Sequence, residues 1–253
     1  MKAIYCEKCG CEDIDINHGI YECGKCKSKI DSKKLSGMLE SAKVLANQGD
    51  ADAQTNLARC YYYGIGVEAN NETAFEWFKK ASEQGHPEAQ FYLAECYSEG
   101  YGVAENIETS AQWFRKSAEQ GYAKGQWALG CCYLGGNGVE QSDEKAVEWL
   151  SKGAEQGFLE AQYELGECYY YGRGVEQSNA QAVLWFRKAA NQGDGDAQFN
   201  LGVCYYYGYG VDKNRKQAKE CWKKSAEQGS EYATNKTLKR LVIKLRKQPN
   251  CWK

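Results

Sequence analysis

The chain repeats itself every 36 residues, five times over, without an insertion or deletion. Ala53-Gln54 returns as Ala89-Gln90, Gly125-Gln126, Ala161-Gln162 and Ala197-Gln198. Gln84 returns as Gln120, Gln156, Gln192 and Gln228, each followed by glycine. A fixed period of this size predicts a solenoid, in which one unit stacks on the next and no block buries its apolar face alone. Such a stack offers an extended surface for holding other molecules and rarely builds a buried catalytic pocket, so the period bounds function as well as fold.

Within the first block Ala53, Leu57, Cys60 and Tyr61 fall on one face of a helix. Tyr61 recurs as Tyr97, Tyr133, Tyr169 and Tyr205, which predicts a core position whose hydroxyl reaches a partner. Gly64 and its equivalents Gly100, Gly136, Gly172 and Gly208 suit the left-handed residue just past a helix end. Asn70, Asn106, Ser142, Ser178 and Asn214 share one position, and all are good N-caps, so a second helix is expected to begin there. It carries Ala74, Trp77, Phe78 and Ala81 and stops at the Gln-Gly pair. Each block is therefore expected to be a helix–turn–helix, with small residues such as Ala53, Ala58, Ala74 and Ala81 letting helices approach closely.

The predicted organisation is all-α: a half repeat over 35–48, five repeats over 49–228, and a basic capping helix and tail over 229–253. In that last segment Leu238, Leu241, Val242 and Leu245 make an apolar stripe, while Lys239, Arg240, Lys244, Arg246 and Lys247 face elsewhere. Residues 1–34 form a separate module with a basic linker.

The motifs AQxxLxxCYxxGxGV and AxxWFxKAxEQG, which alternate over about residues 37–231, resemble the SEL-one-like repeat family, a relative of the tetratricopeptide repeat. The resemblance implies a right-handed αα superhelix acting as an adaptor or scaffold for protein assembly. Relatives occur in bacterial signalling and host interaction and in eukaryotic ubiquitin-ligase complexes. Some cysteine-rich secreted bacterial relatives carry two Cys per repeat in a disulfide, and penicillin binding has been attributed to them. This chain has one regular Cys per block, so a hydrolase of that kind is the remote alternative.

The 13 cysteines fall into three groups. Cys60, Cys96, Cys132, Cys168 and Cys204 recur once per block. Facing helices lie ~8–10 Å apart and equivalent positions in successive blocks farther, too far for a disulfide, so these five are expected to be small core residues of a cytoplasmic, reducing environment. Cys6, Cys9, Cys23 and Cys26 form two C-x-x-C knuckles separated by 13 residues. Tetrahedral zinc takes four thiolates, and each knuckle supplies two from one tight turn. This predicts a structural zinc ribbon, with Ile14, Ile16, Ile20 and Tyr21 in a short hairpin turning at Asn17-His18-Gly19. Iron in a rubredoxin-like site and four free thiols are the alternatives. Cys11, Cys131, Cys221 and Cys251 are left over.

The N-terminal MKAIYCEKCG lacks the apolar core of a signal peptide, and no apolar run reaches membrane-spanning length. The net charge of −2 is uneven: residues 1–36 hold seven Lys and six acids, 37–231 hold 18 Lys/Arg and 28 Asp/Glu, and 232–253 hold seven Lys/Arg and no acid. An acidic body disfavours nucleic acid, so a nucleic-acid-associated module would have to use the ribbon and the basic ends. With only two histidines, His18 and His86, and neither beside a recurring nucleophile, no catalytic constellation emerges. His86 precedes Pro87 and reads as a turn residue at a helix start.

The first function expected is thus a non-catalytic, monomeric protein–protein adaptor. In tetratricopeptide-like stacks the varied face of the first helix lines the concave groove. Here Tyr62, Tyr63, Glu95, Glu99, Glu167, Tyr170, Tyr171, Tyr206 and Tyr207 are the candidate partner-binding residues on that face. Tyrosine offers broad contact at low entropy cost, and the acids favour a basic or polar peptide. The competing reading is that these tyrosines merely pack beside neighbouring helices.

Overall fold

The computed structural model describes residues 14–17, 20–23, 29–30 and 32–230. Strands β1 (Ile14–Asn17), β2 (Ile20–Cys23) and β3 (Lys29–Ile30) form an antiparallel sheet in chain order. Ile14 pairs with Cys23 and Asn17 with Ile20. Cys6, Cys9 and Cys26 of the expected metal site lie outside the described residues, as does the expected capping helix beyond Ser230; Cys23 closes β2.

Eleven helices follow among the described residues: α1 (Ser32–Asn47), α2 (Ala51–Tyr63), α3 (Asn71–Glu83), α4 (Pro87–Glu99), α5 (Ile107–Glu119), α6 (Ala123–Gly135), α7 (Asp143–Glu155), α8 (Leu159–Tyr171), α9 (Asn179–Asn191), α10 (Gly195–Tyr207) and α11 (Arg215–Glu227). They fall into two compact units, Met1–Gly125 with Asn137–Val139, and Gln126–Gly136 with Glu140–Lys253. Inside each unit successive helices pack on one another.

The second helices begin where the caps predict. Asn70 Oδ1 accepts the Thr73 N–H at 2.7 Å and Asn106 Oδ1 the Thr109 N–H at 2.8 Å; Ser142, Ser178 and Asn214 cap α7, α9 and α11 in the same way. Each cap also closes the turn behind it, its own N–H donating to the carbonyl of the recurring tyrosine, as from Asn70 to Tyr61 at 2.9 Å. The first helix of a block ends on a left-handed glycine: Gly64 has φ +70° and donates its N–H to the Cys60 carbonyl. In the second to fifth blocks the second glycine of the G-x-G serves packing between blocks. A Cβ on Gly102 would stand 2.3 Å from the Asn71 carbonyl oxygen at the start of α3, and one on Gly174 would meet Asp143 at the start of α7 equally closely.

The recurring glutamines form a ladder between helices. Gln54 Nε2 donates to the Ala46 carbonyl of the preceding helix at 3.0 Å, while Gln84 Nε2 donates to Gln54 Oε1 at 2.7 Å. Gln120 to Gln90, Gln156 to Gln126 and Gln192 to Gln162 repeat the second bond. The Gln-Gly pair read as a helix stop is therefore also a tie between the two helices of a block. His86 likewise does more than turn the chain. Its Nδ1 accepts the Ala89 N–H as N-cap of α4, and its Nε2 lies 3.0 Å from Asp52 Oδ1 of the previous block.

In the first unit Leu39, Ala46, Ala53, Leu57, Cys60 and Ile65 form one core cluster, so α1 covers the apolar face of α2 as a half repeat should. In the second, Val147, Leu150, Ala161, Leu165 and Cys168 form one cluster and Ala182, Phe186, Leu201 and Cys204 another. Phe78 and Phe186 are fully or almost fully buried, each stabilising its block by roughly 1.5–3 kcal/mol. Small residues make room for them: a Cβ on Gly166 would stand 2.7 Å from the Phe186 ring, and one on Gly202 would stand 2.5 Å from Trp222 Nε1.

Candidate partner-binding faces

The adjacent tyrosines at the end of each first helix separate into an inner and an outer member. Along a helix, neighbours in sequence point about 100° apart, so one can face the next helix while the other faces solvent. In the first unit Tyr62 is half-buried, its ring 6.0 Å from Phe78 and 5.9 Å from Tyr92. Tyr63 is 48% exposed, and its hydroxyl donates to that of Tyr92 at 3.3 Å. Tyr92 is buried and stacks on Phe78 at 5.0 Å. Glu95, one turn further along α4, is half-buried, and burial pushes its carboxyl up to about 7, with Lys124 opposing and Glu99 adding to the shift. Glu99 is exposed at the helix end. The same face holds an ion pair, Arg59 to Glu88 at 3.4 Å.

The second unit repeats the division twice. Tyr170 packs 6.3 Å from Phe186, and Tyr171 is 62% exposed. Tyr206 packs 5.7 Å from Trp222, and Tyr207 is 49% exposed. Tyr209 joins the two pairs, 6.3 Å from Tyr170 and stacked on Tyr207 at 5.3 Å. Glu167 is not a free acid: Arg173 lies 3.8 Å away, and the Tyr163 hydroxyl donates to it at 3.2 Å. Glu164 is half-buried, and desolvation, with Glu167 adding to it, holds its carboxyl above the usual range.

Packing thus claims the inner tyrosines Tyr62, Tyr170 and Tyr206, while Tyr63, Tyr171 and Tyr207 are exposed. The sequence reading missed Tyr101, Arg173 and Tyr209. All three hold one register position, directly after the capping glycine, and the signal lay in treating that turn as a side-chain-bearing site. The recurring cysteines are free and buried. Burial pushes the Cys60 and Cys96 thiols up to about 12 and those of Cys168 and Cys204 to about 11, which disfavours the thiolate that a nucleophile or metal ligand needs. Among the described residues no group of three or more His, Cys, Asp or Glu is arranged to hold a metal ion, and no helix is long and apolar enough to cross a membrane.

A family model described as the Sel1 repeat matches residues 51–86, 87–122, 123–158, 159–194 and 195–230, in phase with the helical pairs. Among solved structures, a Sel1 repeat protein from Oxalobacter formigenes is 33% identical with a TM-score of 0.74, over 80% of each chain. A protective antigen of uropathogenic Escherichia coli strains, described as displaying an SLR fold, is 39% identical with a TM-score of 0.73. That match covers 79% of this chain and 43% of the antigen, so this chain spans less than half the antigen's length. A structure from Klebsiella pneumoniae, 20% identical with a TM-score of 0.54, shares the fold over 81% of this chain and 99% of its own. No curated protein matches the chain.

Proposed function

We propose, from the premise that this chain belongs to the Sel1 repeat family, that it is a non-catalytic adaptor holding a segment of a partner protein against the tyrosines of its first helices. Sel1-repeat proteins are generally protein-interaction scaffolds. The observation that carries the reading is the recurrence of one exposed tyrosine, Tyr63, Tyr171 and Tyr207, each backed by an inner tyrosine packed on the next helix. A ring held in place by its neighbours gives contact area without the entropy cost of ordering a flexible side chain. Glu95 and Glu99 give the face of the first unit an acidic character suited to a basic or polar segment.

A photo-cross-linking residue placed at position 171 or 207 tests this. It should capture a discrete partner in the native cell, and the same residue at position 184, where Leu184 is 46% exposed on a second helix, should not. Equal capture at all three positions would contradict the reading. We further propose that Cys6, Cys9, Cys23 and Cys26 hold one structural zinc, on the strength of the knuckle spacing. Metal analysis after chelator-free purification should give about one zinc per chain; a metal-free protein would remove the site, and iron would reassign it.

A further inference from the structure

We propose that the aromatic cluster beside Glu95 in the first unit is a receptor for a single organic cation, the Lys or Arg side chain of the partner segment. The inference rests on the adaptor reading and gives it a chemistry. Three helices, α2, α3 and α4, and the turn after α4 build the cluster. Tyr62 and Tyr63 come from α2, with ring centroids 4.8 Å apart. Tyr92 comes from α4, 5.9 Å from Tyr62 and 6.3 Å from Tyr63. Tyr101, just beyond α4, lies 5.8 Å from Tyr62. Phe78, fully buried and stacked on Tyr92, is the floor. The Glu95 carboxyl is close enough to Tyr62, Tyr63 and Tyr122 to act on the charge of each hydroxyl.

Glu95 differs from its counterparts in one respect. Arg59, Glu95 and Glu167 occupy the same position of their blocks. Arg59 is paired with Glu88, and Glu167 with Arg173. Glu95 makes neither a hydrogen bond nor an ion pair among the described residues; Lys124 favours its charge from a distance without forming a bridge. A half-buried carboxylate beside a tyrosine cluster, with no cation bridged to it, is complementary to one, because the ring faces attract the same charge that the carboxylate does. An ammonium or guanidinium entering from the partner would supply what Arg173 supplies to Glu167.

The binding is coupled to protonation. Facing Glu95 are Tyr62 and Tyr63 from α2, Tyr122, Lys124, and on its own helix Glu99 and Cys96, with the Arg59–Glu88 pair alongside. Burial raises the tyrosines and Cys96 above their ordinary range, so they stay neutral through the physiological window. Glu95, raised to about 7 by the same burial, is neutral at low pH and charged at high pH. A cation selects the charged form, so affinity rises with pH, by about tenfold between pH 6 and pH 8.

The test uses the full chain with its tyrosine rings isotopically labelled. The probes are the peptides acetyl-Ala-Ala-Arg-Ala-Ala-amide, its Lys analogue and its Gln analogue. The Arg and Lys peptides should shift the Tyr63 and Tyr92 ring resonances saturably, about tenfold more tightly at pH 8 than at pH 6, and the Gln peptide should not. E95Q should abolish both the binding and its pH dependence while leaving helix content unchanged. Imidazoles titrate in the same window, so H86N, which keeps an N-cap acceptor, is the control and should retain the pH dependence. Equal shifts with the Gln peptide, E95Q binding like the parent, or a pH dependence lost in H86N would each overturn the proposal. If E95Q does not fold, the comparison of peptides and pH on the parent chain decides alone. Failure here with intact cross-linking at positions 171 and 207 leaves the adaptor reading standing; loss of that cross-linking with binding at Glu95 does the reverse.

Discussion

Gln162 illustrates how much of the stacking one side chain carries. It is buried, its amide donates to the Ala154 carbonyl at 3.1 Å, and its oxygen accepts from Gln192 at 2.9 Å. Removing it deletes both bonds, while the Ala154 carbonyl keeps the Gly157 N–H and the Gln192 amide keeps the Gly157 carbonyl, so the loss is that of buried hydrogen bonds, about 0.5–1.5 kcal/mol each. Q162A should therefore lower thermal stability by that order. Q192A should cost less, because Gln192 is exposed and water replaces its partners. Equal losses would contradict the weight given to the burial of Gln162. The recurrence of these glutamines was plain in the sequence, but their bonding was not. Periodicity reports that a position is constrained; it does not report which atom on another helix, 30 residues away, imposes the constraint. The same limit hid the pairing of Glu167 with Arg173, which takes that acid out of the free charge of the face.

At the level of helices and turns the sequence was far more legible, because caps act within a single turn. Every second helix starts after the Asn or Ser that the spacing marks, and the first helices that have a described C-cap end on the expected left-handed glycine. Replacing Asn106 by Ala should cost about 1 kcal/mol. The second glycine of the turn should matter more. G102A places a methyl against the first turn of α3 at a backbone angle of φ +70°, so it should exceed the roughly 1–3 kcal/mol usual for overpacking. Denaturation of the two variants ranks them, and N106A proving the more damaging would contradict the packing role given to Gly102. What the helical pattern concealed was the division within each tyrosine pair. A helical wheel assigns Tyr170 and Tyr171 to neighbouring directions, yet only the crossing of α8 and α9 decides that Tyr170 meets Phe186 and Tyr171 meets solvent.

On the scale of the whole chain, chemistry is distributed in blocks. The repeats over 37–231 carry 28 acids against 18 bases, and the 22 residues after them carry seven bases and no acid. An acidic repeat array attracts a basic segment over about a Debye length, ~8 Å at physiological ionic strength, so association with a partner should weaken as salt rises. Repeats that pack only on their neighbours also let surface residues change without unfolding the rest. That makes the tyrosines separable from stability, and it gives the adaptor reading its sharpest test: the affinity of the cross-linked partner for the chain carrying both Y171A and Y207A. Both side chains are largely exposed, so the variant should melt within a few degrees of the parent and keep its helix content. Its affinity should fall about thirtyfold if one of the two is a hot spot worth on the order of 2 kcal/mol. Unchanged affinity in a folded double variant would contradict the account and move the binding surface away from the tyrosines.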